Sequence, residues 1–161
     1  MTSIDVLDAD YHDPAHRDGI LQIIDSYASD PVGGGEPLSA EVRDALIPAL
    51  RDHPTSRVFL AFADAAAVGV AVCFLGFSTF RARPLLNVHD LAVLPDWRGK
   101  GVGRALLRAT EDRARREGCC KLTLEVQDDN VRARGLYESF GFANFAIGDH
   151  ALTRFLSKEL P

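Results

Sequence analysis

Trp97-Arg98-Gly99-Lys100-Gly101-Val102-Gly103 lies between an extended apolar run, Leu85 to Leu94, and a helical pattern, Val102 to Arg116. Glycine carries no Cβ, so the backbone of this turn can come close to a ligand. A helix that starts in the turn offers it free N–H groups and the positive end of its dipole. The chemistry is anion binding, most simply of a phosphate or pyrophosphate. Backbone N–H groups from Gly99 to Arg104 would do most of the holding, with Arg98, Lys100 and Arg104 adding charge. A strand–helix connection that binds nothing could carry the same glycines. Two phosphate motifs are excluded. A P-loop needs Ser or Thr after its Gly-Lys, and Lys100 is followed by Gly101. A dinucleotide fingerprint needs Gly-x-Gly-x-x-Gly after an early strand, whereas these glycines are spaced two apart and lie past the middle of the chain.

Strand alternation ahead of the turn puts Asn87, His89 and Leu91 on one face and Asp90 on the other. A neutral imidazole at His89 can take a proton from an amine, directly or through a water. A satisfied core histidine is the competing reading. Further on, Tyr137 follows Asn130 by two helical turns, so both fall on one helix face.

Arg98-x-x-Gly101-x-Gly103 resembles the pyrophosphate-binding signature of the GNAT superfamily of acyl-coenzyme A N-acyltransferases. The resemblance runs from Asn87 to Phe142. His89-Asp90-Leu91-Ala92-Val93-x-Pro95 is similar to that family's fourth strand and the turn after it. Leu124-Glu125-Val126 resembles its fifth strand. Asn130, Ala133, Leu136-Tyr137-Glu138 and Gly141-Phe142 resemble the helix that follows.

The resemblance implies acetyl-CoA as cosubstrate, no metal, and direct attack by a primary amine in a ternary complex. It implies a bulged fourth strand whose backbone at Leu91, Ala92 and Val93 pairs with the pantetheine arm, the Leu91 N–H donating to the thioester carbonyl. Arg98, Gly99, Lys100, Gly101, Val102, Gly103 and Arg104 would hold the pyrophosphate. Family members acting on amines often have Glu or His at the position of Asn87 or His89. Arylalkylamine acetyltransferases have His at the latter, polyamine acetyltransferases Glu. Tyr137 would be general acid to the departing sulfur, and Asn130 would bind the pantetheine or nearby backbone. The acceptor is expected to be a small amine, with a protein lysine or N-terminus, or non-catalytic acyl-CoA binding, as alternatives. Its site would be formed by the first two helices, the loop Val32 to Pro37 with Glu36, and the segment Ser78 to Pro84. Arg81 and Arg83 suggest either acidic substrate features or a coenzyme contact.

The elements that must position these residues can be read in order. They are a strand from Ile4 to Ala9, a helix opened by Asp13-Pro14, and a second helix capped by Ser39 and kinked or shortened at Pro48. A hairpin of Arg57 to Ala63 and Val68 to Phe77 follows, then the strand Leu85 to Leu94 and the helix Val102 to Arg116. Last come a strand from Lys121 to Val126, a helix from Asn130 to Phe140, and strands from Phe142 to Ile147 and Ala151 to Lys158. The fold class is α/β (α+β): one domain, 1–161, with a mixed, mostly antiparallel sheet of about seven strands flanked by four helices. The resemblance adds a splay between strands four and five.

A chain of 161 residues with 47% apolar residues and a net charge of −5 suits one soluble domain and argues against nucleic acid as its main partner. Cys73, Cys119 and Cys120 form neither a disulfide framework nor a zinc spacing. No long apolar span or signal peptide appears, so no membrane partner and a cytoplasmic location are expected. Assembly as a homodimer is left open.

Overall fold

β1 (Ile4–Asp8) is an edge strand, antiparallel to β2. α1 (Pro14–Ser29) starts where Asp13 accepts the Ala15 N–H and Pro14 needs no partner for the N–H it lacks. α2 (Ala40–Asp52) starts where the Ser39 hydroxyl accepts the Val42 N–H. β2 (Ser56–Ala63) and β3 (Ala66–Ser78) form the expected hairpin, and β4 (Arg83–Val93) adds to β3. A 3-10 turn, Pro95–Trp97, then leads into α3 (Val102–Arg116). β5 (Leu122–Leu124) completes a sheet of order β1-β2-β3-β4-β5, antiparallel except for the β4–β5 pair. α4 (Val131–Phe140) lies further along.

This computed structural model describes residues 3–144 and 154–160. The chain divides into two compact units, Met1–Leu124 and Glu125–Pro161. In the first, each sheet face has its own core. Ile20 and Ile23 of α1 and Ile47 and Leu50 of α2 pack on Leu60, Val70, Val72 and Ala92. Val102, Leu106 and Ala114 of α3 pack on Phe59, Ala71, Leu86 and Val88 on the other face. Ile20 and Ile23 are 0% and 1% exposed, and burial of each is worth about 1.5–3 kcal/mol.

The described residues contain five strands, not about seven. Residues 142–144 and 154–158 lie in no strand, and the remainder of the two expected closing strands, 145–147 and 151–153, lies outside the described residues. α2 does not stop at Pro48 but runs on to Asp52, held by Ile47 and Leu50, which are buried on either side of the proline, while Val42, Ala45 and Ala49 of the expected stripe are exposed. β5 is shorter than expected. It pairs with β4 only at Leu86–Val88, so β4 runs on to Val93 with no paired strand on that side among the described residues.

α3 approaches the sheet at a glycine. A Cβ on Gly69 would stand 2.7 Å from Val102 Cγ1 and 3.0 Å from Leu106 Cδ1. The start of α3, and with it the glycine turn, is therefore seated on a position where any side chain would force Val102 or Leu106 to shift. Gly69→Val is expected to cost about 1–3 kcal/mol through overpacking, read as a lower urea midpoint at unchanged slope. An unchanged midpoint would mean the contact is not limiting.

Candidate functional site

The site begins with a slip in β4. Val72 of β3 stands opposite Asp90, but Cys73 stands opposite Val88, so His89 is one residue too many. The bulge reverses alternation. Before it, Leu86 and Val88 face the α3 core; after it, Leu91 and Val93 do. His89 and Asp90 consequently share the face that carries α1 and α2, and Leu91 leaves the face of His89. This corrects the strict alternation expected from sequence, which set Asp90 apart from His89. The His89 ring meets the edge of Phe74 at 5.6 Å, and His53, at the end of α2, meets the same ring at 5.0 Å. Asn87 donates its amide to Thr123 Oγ1 at 3.0 Å, a structural use that ties β4 to β5.

The bulge also sets the backbone. The Leu86 N–H donates to Lys121 O on the β5 side. The Leu94 N–H donates to Val68 O on β3. Alternation between these fixed points turns the N–H groups of Leu91 and Val93 toward the unpaired side and those of Ala92 toward β3. Of the three residues expected to offer backbone to a pantetheine arm, Leu91 and Val93 are so directed. Ala92 is not, and its side chain is buried.

The turn that follows has the geometry of an anion site. Gly99 and Gly101 have φ of 75° and 86°, a conformation costly for any residue with a Cβ. Gly101 is the N-cap of α3 and supplies no side chain to bond the first-turn N–H groups, among them those of Val102 and Gly103. The first intrahelical bond runs from the Ala105 N–H to Gly101 O. The Val102 side chain is buried, so only its backbone can serve a ligand. Arg104 is in the same first turn. Lys100 Nζ lies 5.0 Å from the centre of the Trp97 ring. Arg98 is engaged on two sides: Nε donates to Val93 O at 3.1 Å and Nη2 to Asp30 Oδ2 at 3.0 Å.

Residues 20–142 match the family model described as "Acetyltransferase (GNAT) family". The chain belongs to the GNAT family. It is 40% identical over 105 residues to a streptothricin acetyltransferase of Streptomyces lavendulae, covering 65% of this chain and 53% of that protein. It is 45% identical over 61 residues to the ribosomal protein bS18-alanine N-acetyltransferase of Escherichia coli strain K12, covering 38% and 41%. The chain thus spans about half the length of these relatives. The fold matches that of an aminoglycoside acetyltransferase from an uncultured soil metagenomic sample, solved with sisomicin, at TM-score 0.75 and 19% identity over 94% of this chain and 97% of that one.

Other GNAT positions are placed as follows. Asn130 is the N-cap of α4, its Oδ1 accepting the Ala133 N–H at 3.2 Å, so it precedes the helix it was expected to open. Tyr137 packs its ring against Phe142 within the second unit. Arg83 donates to Gly118 O and Cys119 O, fastening β4 to the end of α3, which gives it a structural role. A groove of about 510 Å³ lies between α1 and α2, the two helices expected to border the acceptor; it is lined by residues such as Asp18, Gln22, Asp25 and Arg43, and neither Glu36 nor the segment 78–84 contributes to it. No helix among the described residues is long and apolar enough to cross a membrane.

Asp90 is the residue that the sequence reading underrated. Burial holds its carboxyl above the usual carboxylate range, with His89 acting in the opposite sense. Burial also raises the Tyr27 phenol of α1, and the negative charges of Asp90 and Asp30 raise it further. Leu86 and Val88 followed by Leu91 and Val93 is an apolar alternation that skips one step, the sequence signal of the bulge. A raised carboxyl binds its proton more tightly in the folded chain than in the unfolded one. Its effect on stability is therefore least unfavourable at low pH and turns unfavourable as pH rises through the folded-state pKa. Asp90→Asn is expected to melt higher than the parent at neutral pH, the gap narrowing as the medium is acidified toward the ordinary carboxylate pKa. A gap independent of pH would contradict the assignment.

Proposed function

We propose that this chain transfers the acetyl group of acetyl-CoA to a primary amine by direct attack in a ternary complex, and that the acceptor is a small cationic amine. The observation that carries the reading is the β4 bulge. It turns His89 and Asp90 to the α1–α2 face and the Leu91 N–H to the unpaired side, one short step before the glycine turn. The two units are taken to act as one domain, since the family match runs through both.

In this reading the pyrophosphate takes N–H groups of the turn from Gly99 to Arg104. The pantetheine arm pairs with backbone at Leu91 and Val93. Asp90 attracts the ammonium form of the acceptor, and His89 removes its proton. The amine nitrogen then attacks the acetyl carbonyl carbon. A C–N bond forms, and the oxyanion that develops takes the Leu91 N–H. The carbonyl re-forms as the C–S bond breaks, the thiolate takes a proton from the Tyr137 hydroxyl, and the surplus proton on the new amide nitrogen returns through solvent to the tyrosinate. Asn130 contributes through the amide nitrogen that helix capping leaves available. A small acceptor is favoured by the streptothricin acetyltransferase likeness, which extends over more of the chain than the likeness to the bS18-alanine enzyme. The latter keeps a protein N-terminus as the second reading.

An amine panel with thiol-release detection tests this directly. Release with small diamines or amino sugars is expected. Release only with peptides would favour the second reading, and binding of coenzyme A without release would make the chain a non-catalytic module. His89→Ala is expected to lower kcat/KM about 10²–10⁴-fold at neutral pH and to remove the acidic limb of the pH–rate profile. A near-normal rate with the same profile would pass the role to a water chain. Tyr137→Phe removes one hydroxyl and keeps the ring on Phe142, so kcat should fall while acetyl-CoA affinity holds; a variant that unfolds would instead assign the hydroxyl a structural hydrogen bond. Full kcat in that variant would leave Tyr137 a packing residue.

A further inference from the structure

Arg98 is the signature cation of the turn, yet its guanidinium does not point its charge into open space. It bridges Val93 O at the end of β4 and the carboxylate of Asp30 at the end of α1. Asp30 in turn organises the loop that follows. Its Oδ1 accepts the Val32 N–H at 3.0 Å, and its carbonyl oxygen accepts the N–H groups of Gly33 at 2.8 Å and Gly35 at 3.0 Å. Ala28 O accepts from Gly35 and Glu36 as well. The loop sequence, Pro31-Val32-Gly33-Gly34-Gly35-Glu36-Pro37, has little side chain to bury, so these few bonds hold its shape. The Val32 N–H and then Arg98 keep the Asp30 carboxyl below the usual range, so the pair stays charged across neutral pH.

We propose that the Asp30–Arg98 pair is a latch that makes the order of the loop at residues 31–37 depend on whether the glycine turn is occupied. The backbone of Arg98 enters the turn, while its side chain grips the residue from which the loop hangs. An anion that fixes the turn backbone fixes the anchor of Asp30. By reciprocity, a loop closed over an acceptor favours the occupied turn. Asp30 and Arg98 are here positioning residues. The inference rests on the reading above, in which the turn takes the coenzyme A pyrophosphate and the loop borders the acceptor.

Hydrogen exchange of the full chain with and without saturating coenzyme A, alongside calorimetry, tests the latch. In the parent, coenzyme A is expected to slow exchange at residues 31–37. Asp30→Asn keeps a side-chain acceptor for the Val32 N–H and removes the ion pair. It should bind coenzyme A within about 3-fold of the parent, lose the loop protection, and raise the amine KM about 10-fold with kcat little changed, a size within ordinary couplings between sites. Asp30→Glu should restore part of the protection. Coenzyme A binding that leaves the parent loop unprotected, or protection that survives in Asp30→Asn, overturns the latch while leaving the coenzyme site intact. No calorimetric binding to the parent overturns both readings.

Discussion

The structure depends on one extra residue in β4. A strand has two faces and two edges, and a single-residue slip exchanges both at once. Below His89, the N–H groups of β4 that turn away from β3 are used by β5, and its even-numbered side chains fill the α3 core. Above it, the same edge belongs to Leu91 and Val93 and has no partner strand among the described residues. Without the slip, Leu91 would enter the α1–α2 core and its N–H would be spent on β3. The bulge is therefore what separates a polar pair on one face from an edge that meets no partner strand among the described residues.

Around that slip, packing fixes the remaining parts. α3 is brought down on Gly69 and begins at Gly101, so close approach to the sheet and an uncapped start are features of one helix end. α1 is brought down likewise at Gly19, where a Cβ would stand 2.6 Å from the Ala67 Cβ. Phe74 stands between His53 and His89, so the end of α2 and the bulge meet on one ring. Some of the charges outside the proposed chemistry are used structurally. Arg57 and Arg113 share Glu117, and Arg113 also reaches Asp8.

Much of this was legible in the chain. Local signals were reliable because their causes are local: Asp13 and Ser39 cap their helices with their own side chains, and α3 has its expected bounds from Val102 to Arg116, whereas Asn130, expected inside the last helix, turns out to be its cap. The glycine turn was legible because left-handed backbone demands Gly99 and Gly101. What escaped were consequences of pairing. Alternation counted without the bulge put Asp90 on the wrong face, although the jump from Val88 to Leu91 carried the signal. The partnership of Arg98 with Asp30 spans 68 positions, and no local pattern encodes it. Arg83 read as a ligand contact because a loop arginine looks the same in sequence whether it meets substrate or the carbonyls of Gly118 and Cys119.

Gly101 has one consequence beyond recognition. A helix that begins on glycine forgoes the side-chain cap that Ser, Thr, Asp or Asn would give, a difference of a few tenths of a kcal/mol up to about 2 kcal/mol in other helices. The folded chain is left with a bonding position that only something from outside can complete. Whatever anion completes it binds the native state and not the unfolded one, and at 100 times its dissociation constant it adds about 2.7 kcal/mol to stability. Under the proposed function that anion is the coenzyme pyrophosphate, and the resistance of the chain to unfolding would then rise with the supply of its own cosubstrate.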